Sequence, residues 1–315
     1  MSLHPEFRAY LDELNPIVEA NARAGVRATP ESARAALAGL NQFALTPVPI
    51  AEVFPGAVTG AGQDVPVRVY VPEPGTPSDV ILFVHGGGHM AGDLDVYDFS
   101  ARRTADATGM VVVSVDYRRS PEAPFPAGLT DVYAVLHGLD RLLVEVPTTG
   151  QVHAVADSGG AALVASIAQR VAAGEWTSPL HRQVLLYPSV DYSMSGRSIR
   201  EFGSGYFLSA ERIAWYFDHY FPRDVDRRAA SPLFGPYSPR MPDTLVIAAE
   251  FDPLLSEAQE YVARMRNAGS PAHLLVAPGM IHAYLFFEAK VPEAVVRTYD
   301  VMAHFLATGE VPSAW

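Results

Sequence analysis

Apolar residues along the chain follow two different periods, and the change comes near residue 53. Before it, between Phe7 and Val18, apolar residues recur every three or four positions and so share one face of a helix. A second helix is expected to begin at residues 29–31, where threonine precedes proline and glutamate. This helical segment fits two roles equally well: a layer that caps a binding site, or a peripheral helix pair packed on the core.

After residue 53, short apolar runs with the character of β-strands alternate with helical stretches. Residues 65–71 alternate valine with other residue types, as in a half-exposed strand, whereas 80–84 and 111–115 are continuous apolar runs typical of strands covered on both faces. Further strands are predicted at 152–155, 183–187, 244–249 and 273–277, and helices at 127–144, 160–173 and 256–268. This alternation predicts a mostly parallel sheet with helices on both faces, which binds ligands beyond the carboxyl ends of its strands.

Two stretches interrupt the alternation. Residues 85–98 form a glycine-rich loop, and residues 190–235 form a long insertion with a helix that begins near Ser209. Several aromatic residues lie on this helix, and at helical spacing such residues more often pack against the core than contact a ligand. Because no linker or repeat is evident, we interpret the chain as one large domain with cap elements.

Composition narrows the class of protein. The chain has 315 residues, 49% of them hydrophobic, and a formal net charge of −12. It is long enough for a sizeable core and lacks the basic patch of a nucleic-acid or anionic-membrane binder. The absence of cysteine excludes disulfides, thiolate metal sites and a cysteine nucleophile. With no evident signal peptide or membrane-spanning stretch, we expect a soluble cytoplasmic protein that acts on small molecules.

Ser158 stands between an apolar run and a helical stretch, in the sequence Ala-Asp-Ser-Gly-Gly of residues 156–160. A serine on such a strand-to-helix turn, beside a helix N-terminus, is typical of a nucleophile elbow. The usual pattern is Gly-x-Ser-x-Gly, and Ala156 takes the place of its first glycine. Because serine is also a common helix cap, these five residues alone fit a catalytic serine and an ordinary cap equally.

Residues 85–89 have the sequence His-Gly-Gly-Gly-His and follow a buried strand. Without Cβ atoms, the backbone amides of such a loop can approach an anion closely. One interpretation is an oxyanion hole, completed by the amide that follows the nucleophile. The other is a dinucleotide-binding loop, with Asp116 on the ribose. The second is weaker, because Asp116 stands rather far along the chain and no helix is under way directly after the glycines.

A serine nucleophile needs a base that takes its proton. The chain has ten histidines, and His282 is the best candidate because it follows a glycine just beyond the last predicted strand. Three other histidines, in the glycine loop or a strand, are interpreted as structural: His85, His89 and His153.

The base needs an orienting acid, and Asp252 follows a predicted strand in the same way as His282. Glu250 and Glu257 are rivals for this role, and Asp252 could also be a helix cap. The chain order Ser158, Asp252, His282 is the nucleophile–acid–base order of α/β-hydrolases. Three candidates in this order, each after a predicted strand, favour a catalytic serine over a cap.

Several motifs together resemble the hormone-sensitive-lipase-like branch of the α/β-hydrolases, the bacterial carboxylesterases, over nearly the whole chain. They are the glycine loop at 85–88 with Gly-Asp at 92–93, Asp-Tyr-Arg at 116–118 with the proline-rich stretch at 121–126, Tyr-Pro at 187–188 with Asp191, Asp-Pro-Leu at 252–254, and Gly-Met-Ile-His at 279–282. The resemblance implies an α/β-hydrolase fold with a helical cap. It places N-terminal cap helices at 1–50 and a catalytic domain at 51–315, with a cap insertion at about 190–235.

The resemblance also implies a role for individual residues. Ser158 would be the nucleophile, His282 the base and Asp252 its orienter. The oxyanion amides would come from Gly87, Gly88 and Gly159, with His85 holding the loop and the Asp-Tyr-Arg stretch at 116–118 structural. The residues expected to shape the substrate pocket are Phe7, Tyr192, Tyr206, Phe207 and Tyr284. Neither a metal ion nor an organic cofactor would be needed.

The serine motif departs from the family pattern, which has the sequence Gly-Asp-Ser-Ala-Gly-Gly. Ala156 adds a methyl where the elbow is tightest, and Gly159 replaces the alanine whose amide faces the oxyanion. Residues 255, 256 and 258 also differ from the family pattern after the acid, and Ala283 replaces a glycine after the base. No reacting group is lost. We expect an intact elbow to hold Ser158 at positive φ.

The implied activity is that of a serine carboxylesterase acting on small, short-acyl esters. Its partner would be the ester itself, and the family often pairs as a homodimer through an edge strand. Two alternatives remain at this stage: a non-catalytic small-molecule binding protein on the same fold, and a nicotinamide oxidoreductase that uses the glycine loop.

Overall fold

A computed structural model describes residues 2–60 and 62–315 of the chain. Its strands are β1 (Glu52–Thr59), β2 (Asp64–Val71), β3 (Ser78–Val84), β4 (Val111–Val115), β5 (Thr148–Asp157), β6 (Leu180–Leu186), β7 (Asp243–Phe251) and β8 (Ala272–Ile281). Its α-helices are α1 (Pro5–Arg23), α2 (Pro30–Gly39), α3 (Asp98–Thr108), α4 (Ala127–Leu142), α5 (Ser158–Ala173), α6 (Arg197–Phe202), α7 (Ala210–Tyr220), α8 (Arg227–Ala230), α9 (Leu255–Asn267) and α10 (Pro292–Thr308). Short 3₁₀ turns lie at Leu40–Phe43, Pro232–Phe234 and Tyr284–Phe287.

The eight described strands form one sheet in the order β1-β2-β4-β3-β5-β6-β7-β8. The pairs β1–β2 and β2–β4 are antiparallel, and the remaining pairs from β4 to β8 are parallel. The prediction of a mostly parallel sheet flanked by helices is therefore confirmed. Parallel strands end at a common edge, so the loops that follow β3, β5, β7 and β8 can meet there.

The continuous apolar run in β3 has two buried faces. Leu82 and Val84 pack in a cluster with residues of α4 and α5, whereas Ile81 and Phe83 pack in a second cluster with residues of α3 and α10. All four side chains are almost completely buried. Helices therefore cover both sides of the central strands, as an uninterrupted apolar sequence requires.

Strand β1 and helix α3 are among the elements that were not predicted from the pattern. Strand β1 contains Pro55 and Gly56, which interrupt the alternation, and an edge strand tolerates such residues because only one side of it must pair. Helix α3 contains Asp98, Arg102 and Arg103 and is only weakly apolar, so its period is hard to see in the sequence. No helix in the described part of the chain is both long and apolar enough to cross a membrane.

Candidate active site

The serine turn is built by the junction of β5 and α5. The strand ends at Asp157, the helix begins at Ser158, and Ser158 has φ +48°, which confirms the expected positive φ. A Cβ on Gly160 would lie 2.2 Å from the carbonyl oxygen of Val84, so only glycine lets the helix approach β3 this closely. Ala156 is fully buried in the core cluster beside α4 and α5, where its methyl is accommodated.

A chain of two hydrogen bonds joins the acid, the imidazole and the serine. The Nε2 of His282 lies 3.0 Å from Ser158 Oγ, and its Nδ1 lies 2.8 Å from Asp252 Oδ2. Asp252 is 1% exposed, and its other oxygen accepts from the backbone N–H of Leu254 at 2.9 Å. A buried carboxylate that accepts on both oxygens holds the imidazole with Nδ1 protonated and Nε2 free to accept the serine proton.

The two rival acids contact other groups. Glu250 Oε2 accepts from the backbone N–H of Gly279 at 2.7 Å, beside the turn that precedes His282. Glu257 is fully buried and accepts from the backbone N–H groups of Val190 and Asp191. Burial raises the pKa of Glu257 well above the ordinary value, and its two backbone hydrogen bonds hold the start of the insertion.

The glycine loop lies beside the serine with free amides. Gly87 has φ +99° and Gly88 has φ +63°, which glycine adopts without strain. Within the described residues, the backbone N–H groups of Gly87 and Gly88 donate to no protein acceptor. A Cβ on Gly159 would lie 3.3 Å from the nitrogen of Gly88, so the loop and the first turn of α5 approach closely. Gly159 supplies a first-turn amide, which has no partner inside its own helix.

Asp157, the residue before the serine, fixes the glycine loop. Its Oδ1 accepts from the backbone N–H of Gly86 at 2.7 Å, and its Oδ2 accepts from the Tyr97 hydroxyl at 3.1 Å. Burial raises the pKa of Asp157 to about 6, although these two donors and the nearby His282 favour its charged form. No role for this carboxylate was predicted from the sequence.

His85 supports the same loop from below. Its ring stacks on Tyr117 with centroids 4.4 Å apart and also contacts Tyr97, while Tyr117 donates to the carbonyl oxygen of His85 at 2.8 Å. Burial lowers the pKa of His85 to about 4, so the ring is neutral. These contacts place His85 in the packing beneath the loop and away from Ser158 Oγ.

The two remaining histidines differ in location. His153 lies in β5, and its Nε2 is 3.2 Å from Asp79 near the start of β3. His89 lines the cavity above the serine, but its ring stacks on Tyr220 with centroids 3.9 Å apart. Burial lowers the pKa of His89 to about 3, and neither ring contacts Ser158.

The contacts of the glycine loop do not fit dinucleotide binding. No helix starts after the glycines until α3 at Asp98. Asp116 lies 3.4 Å from the guanidinium of Arg119. The adjacent arginine, Arg118, pairs with the buried Asp131 at 2.7 Å. The acid that would bind a ribose therefore forms an ion pair with an arginine of the fold.

A cavity of about 540 Å³ opens over Ser158. The glycine loop, α1, α2 and the insertion all contribute to its wall. The lining residues are Tyr10, Leu14, Val18, Ala33, Ala36, Leu37, Gly39, Leu40, Gln42, Gly87, Gly88, His89, Tyr97, Asp157, Ser158, Gly159, Ser189, Phe207, Leu208, Arg212, Ile213, Tyr216, Phe217, Leu254, His282 and Ala283. The wall is predominantly apolar around a few polar groups, as in most sites for small molecules.

Of the five residues expected to shape the pocket, Phe207 lines this cavity and the other four lie elsewhere. Phe7 is completely buried and packs edge-on against Phe287, while Tyr206 stacks on Phe251. Tyr192 packs within the insertion, where Phe217 lies 5.1 Å from it between ring centroids.

Tyr284 is also buried, and its hydroxyl is 2.6 Å from Thr298 Oγ1 on α10. These four expectations were wrong because proximity to cap and base motifs does not determine which way a ring faces. Three other tyrosines line the cavity, Tyr10, Tyr97 and Tyr216, and the ring of Tyr216 lies against Gly88. Tyr216 follows Ile213, which also lines the cavity, by three residues on α7. This helical spacing could have indicated that both side chains face the site.

Comparisons with known proteins agree with this geometry. Residues 81–286 match a protein family described as alpha/beta hydrolase fold. An ethyl acetate hydrolase from Pseudomonas putida is 30% identical over 308 residues, which cover 93% of this chain and 95% of that protein.

Solved structures give the same result. An esterase from the archaeon Pyrobaculum calidifontis superposes with a TM-score of 0.86 at 30% identity, over 98% of this chain and 99% of that one. An ester hydrolase from the metagenome of Lake Arreo, solved with a derivative of bipyridine phosphonate, has a TM-score of 0.85 at 29% identity, over 97% and 100% of the two chains. The chain belongs to the hormone-sensitive-lipase-like family of α/β-hydrolases and is a carboxylic ester hydrolase.

Proposed function

We propose that the protein is a serine carboxylesterase that forms an acyl-enzyme on Ser158. The hydrogen-bonded chain from Asp252 through His282 to Ser158 carries this proposal. The two distances, 2.8 Å and 3.0 Å, are within the range needed for proton transfer. The positive φ of Ser158 supports it, because a strained residue at a functional turn presents its side chain to the site.

In the first half-reaction, Ser158 Oγ attacks the ester carbonyl carbon while His282 Nε2 accepts its proton. Asp252 stabilises the imidazolium that forms and keeps the ring in place. Collapse of the tetrahedral intermediate breaks the bond to the alcohol oxygen, and His282 returns the proton to the leaving alcohol. Water then attacks the acyl-enzyme by the same route and releases the carboxylic acid.

The negative charge that develops on the carbonyl oxygen would be bound by the amides of Gly87, Gly88 and Gly159. Two observations support this assignment. The N–H groups of Gly87 and Gly88 donate to no acceptor in the described part of the protein, and their loop lies close to the start of α5. One such donor typically contributes about 3 kcal/mol to transition-state stabilisation. The carboxylate of Asp157 would hold the loop in this position through Gly86.

We also propose that residues 1–50 and about 190–235 act as the cap. Residues from both segments, among them Leu14, Leu37 and Phe207, line the cavity over Ser158. The apolar wall and the cavity volume of about 540 Å³ accommodate a small apolar ester, and we propose short acyl chains for it. The Pseudomonas putida relative, an ethyl acetate hydrolase, supports the same substrate class.

Hydrolysis of p-nitrophenyl acetate and butyrate tests this proposal. We expect the wild type to hydrolyse both esters, and Ser158→Ala to lose at least about 10³-fold in kcat at an unchanged fold. Circular dichroism of both proteins provides the folding control. A variant that keeps its activity, or a wild type no faster than buffer, would overturn the proposal.

A further inference from the structure

One side chain in the cavity wall carries a permanent positive charge that an ordinary neutral ester does not require. Among the lining residues of the described chain, Arg212 is the arginine, and no lysine accompanies it. It lies in the first turn of α7, where its backbone N–H donates to Ser209 Oγ at 3.0 Å. Its side chain is half-buried.

The guanidinium of Arg212 has no carboxylate partner among residues 2–60 and 62–315. Within the described residues its guanidinium carbon lies over the Trp215 ring, 5.4 Å from the ring centroid. Two other half-buried arginines of this protein are paired with carboxylates: Arg34 with Glu122 at 2.6 Å, and Arg118 with Asp131 at 2.7 Å. An unpaired guanidinium at the wall of a cavity keeps its donors available for a ligand.

Arg212 lines the same cavity as Ser158 and lies on the helix that covers the glycine loop. Tyr216 follows it by four residues on α7, so the two side chains share one face of the helix. The ring of Tyr216 lies against Gly88, a Cβ on which would come within 2.6 Å of it. The backbone position of Arg212 therefore lies about one helical turn, roughly 5 Å, along α7 from Tyr216, the residue that covers the glycine loop.

The charges that face this space leave room for an anion. Asp157 is the acidic residue among the described lining residues, and its carboxylate already accepts from Gly86 and Tyr97. The two lining histidines are His89, which is buried and neutral, and His282, which is bound to Asp252. Apart from Asp157, the described wall of the cavity contains no acidic residue that would repel a bound anion.

We propose that Arg212 binds a carboxylate at the far end of the substrate, so that the preferred esters are half esters of short dicarboxylic acids. This inference rests on the proposed esterase function and names its substrate class. Arginine pairs with carboxylates through two parallel N–H···O bonds, which fix orientation as well as adding affinity. Hydrolysis of such an ester consumes water and yields the alcohol and a dicarboxylate.

A matched pair of substrates tests the role of Arg212. Ethyl hydrogen succinate carries the second carboxylate, and ethyl succinamate replaces it with a neutral amide of nearly equal size. The measured quantity is the ratio of kcat/KM for the anionic ester to that for the amide. We expect Arg212→Gln to lower this ratio about tenfold, mainly through the KM of the anionic ester, and Arg212→Lys to restore part of it.

Arg200→Gln is the matched control, because Arg200 is an exposed arginine of the same insertion that does not line the cavity. It removes the same charge and should leave the ratio unchanged. Raising the ionic strength should lower the wild-type ratio, since salt screens the attraction. Equal ratios in wild type and Arg212→Gln, or an equal fall in Arg200→Gln, would overturn the proposal. Failure of the esterase function itself would appear separately, as a wild type inactive on p-nitrophenyl butyrate.

Discussion

The ring of Tyr216 lies directly on the backbone of Gly88, so close that a Cβ on that glycine would meet the ring carbons at 2.6 Å. Tyr216 belongs to the insertion, and Gly88 belongs to the loop whose amides face the serine turn. The wall of the cavity and the proposed oxyanion hole are therefore in direct contact. A change in one must displace the other.

Gly88→Ala should strongly impair the proposed oxyanion hole. The new methyl collides with Tyr216, and φ +63° is unfavourable for alanine, so the loop must move. We expect kcat/KM for p-nitrophenyl butyrate to fall about 100-fold, the typical effect of losing one donor. Steady-state kinetics measure this loss.

Gly75→Ala is the control for backbone strain alone. Gly75 has φ +83° but nothing within 4 Å of its would-be Cβ. This variant should lose about 1 kcal/mol of stability and keep its activity. An equal loss of activity in both variants would show that the contact with Tyr216 is not the cause.

Gly159 and Gly160 are adjacent and should respond very differently to alanine. A Cβ on Gly159 would lie 3.1 Å from the nitrogen of His89, which a shift of a few tenths of an ångström relieves. A Cβ on Gly160 would lie 2.2 Å and 2.3 Å from the carbonyl oxygens of Val84 and His85, which cannot be relieved locally. We expect Gly159→Ala to change kcat/KM by less than about tenfold and Gly160→Ala to cost about 3 kcal/mol of unfolding free energy.

Urea unfolding and kinetics on the two variants check this contrast. If Gly160→Ala proves as stable as the wild type, helix α5 does not approach β3 as closely as the structure shows. If Gly159→Ala is inactive but folded, the oxyanion hole of this protein requires glycine at this position, where the family pattern has alanine.

The buried carboxylate of Asp157 should make stability depend on pH. Its folded pKa of about 6 lies above the unfolded value of about 4, so the native state binds more protons than the unfolded state between these values. The cost of the buried charge, about 3 kcal/mol, is therefore fully present above pH 6 and disappears as the pH falls toward 4. Asp157→Asn keeps an acceptor for Gly86 and removes the charge.

Unfolding free energies of wild type and Asp157→Asn between pH 4 and 7.5 test this dependence. Relative to Asp157→Asn, the wild type should gain up to about 3 kcal/mol of unfolding free energy as the pH falls from 7.5 to 4, because its carboxyl group becomes neutral. Parallel curves would contradict the raised pKa.

Much of the fold and of the reacting centre could be predicted from the sequence because both follow from local patterns. The buried strands are continuous apolar runs, and the carboxyl ends of β5, β7 and β8 bring Ser158, Asp252 and His282 to one edge. A short strand with Pro55 and Gly56 and a weakly apolar helix such as α3 have no comparable signal.

The cavity wall was harder to predict because it depends on side-chain direction. Tyr206 and Phe207 are neighbours in sequence, yet Tyr206 stacks on Phe251 and Phe207 lines the cavity. Tyr216 is one of the aromatic residues of α7 that were expected to pack, and it packs on Gly88 of the proposed oxyanion loop. Such contacts depend on how segments that are distant in the sequence pack together. The local periodicity of hydrophobic residues contains no information about this packing.

Covalent labelling of the serine tests the central claim most directly. Incubation with a p-nitrophenyl alkylphosphonate should release one p-nitrophenolate per chain, and mass spectrometry should find the phosphonyl group on the peptide that contains Ser158. The Ser158→Ala variant should give neither signal. A label on another residue, or no label on a folded wild type that hydrolyses p-nitrophenyl butyrate, would contradict the assignment of Ser158 as the nucleophile.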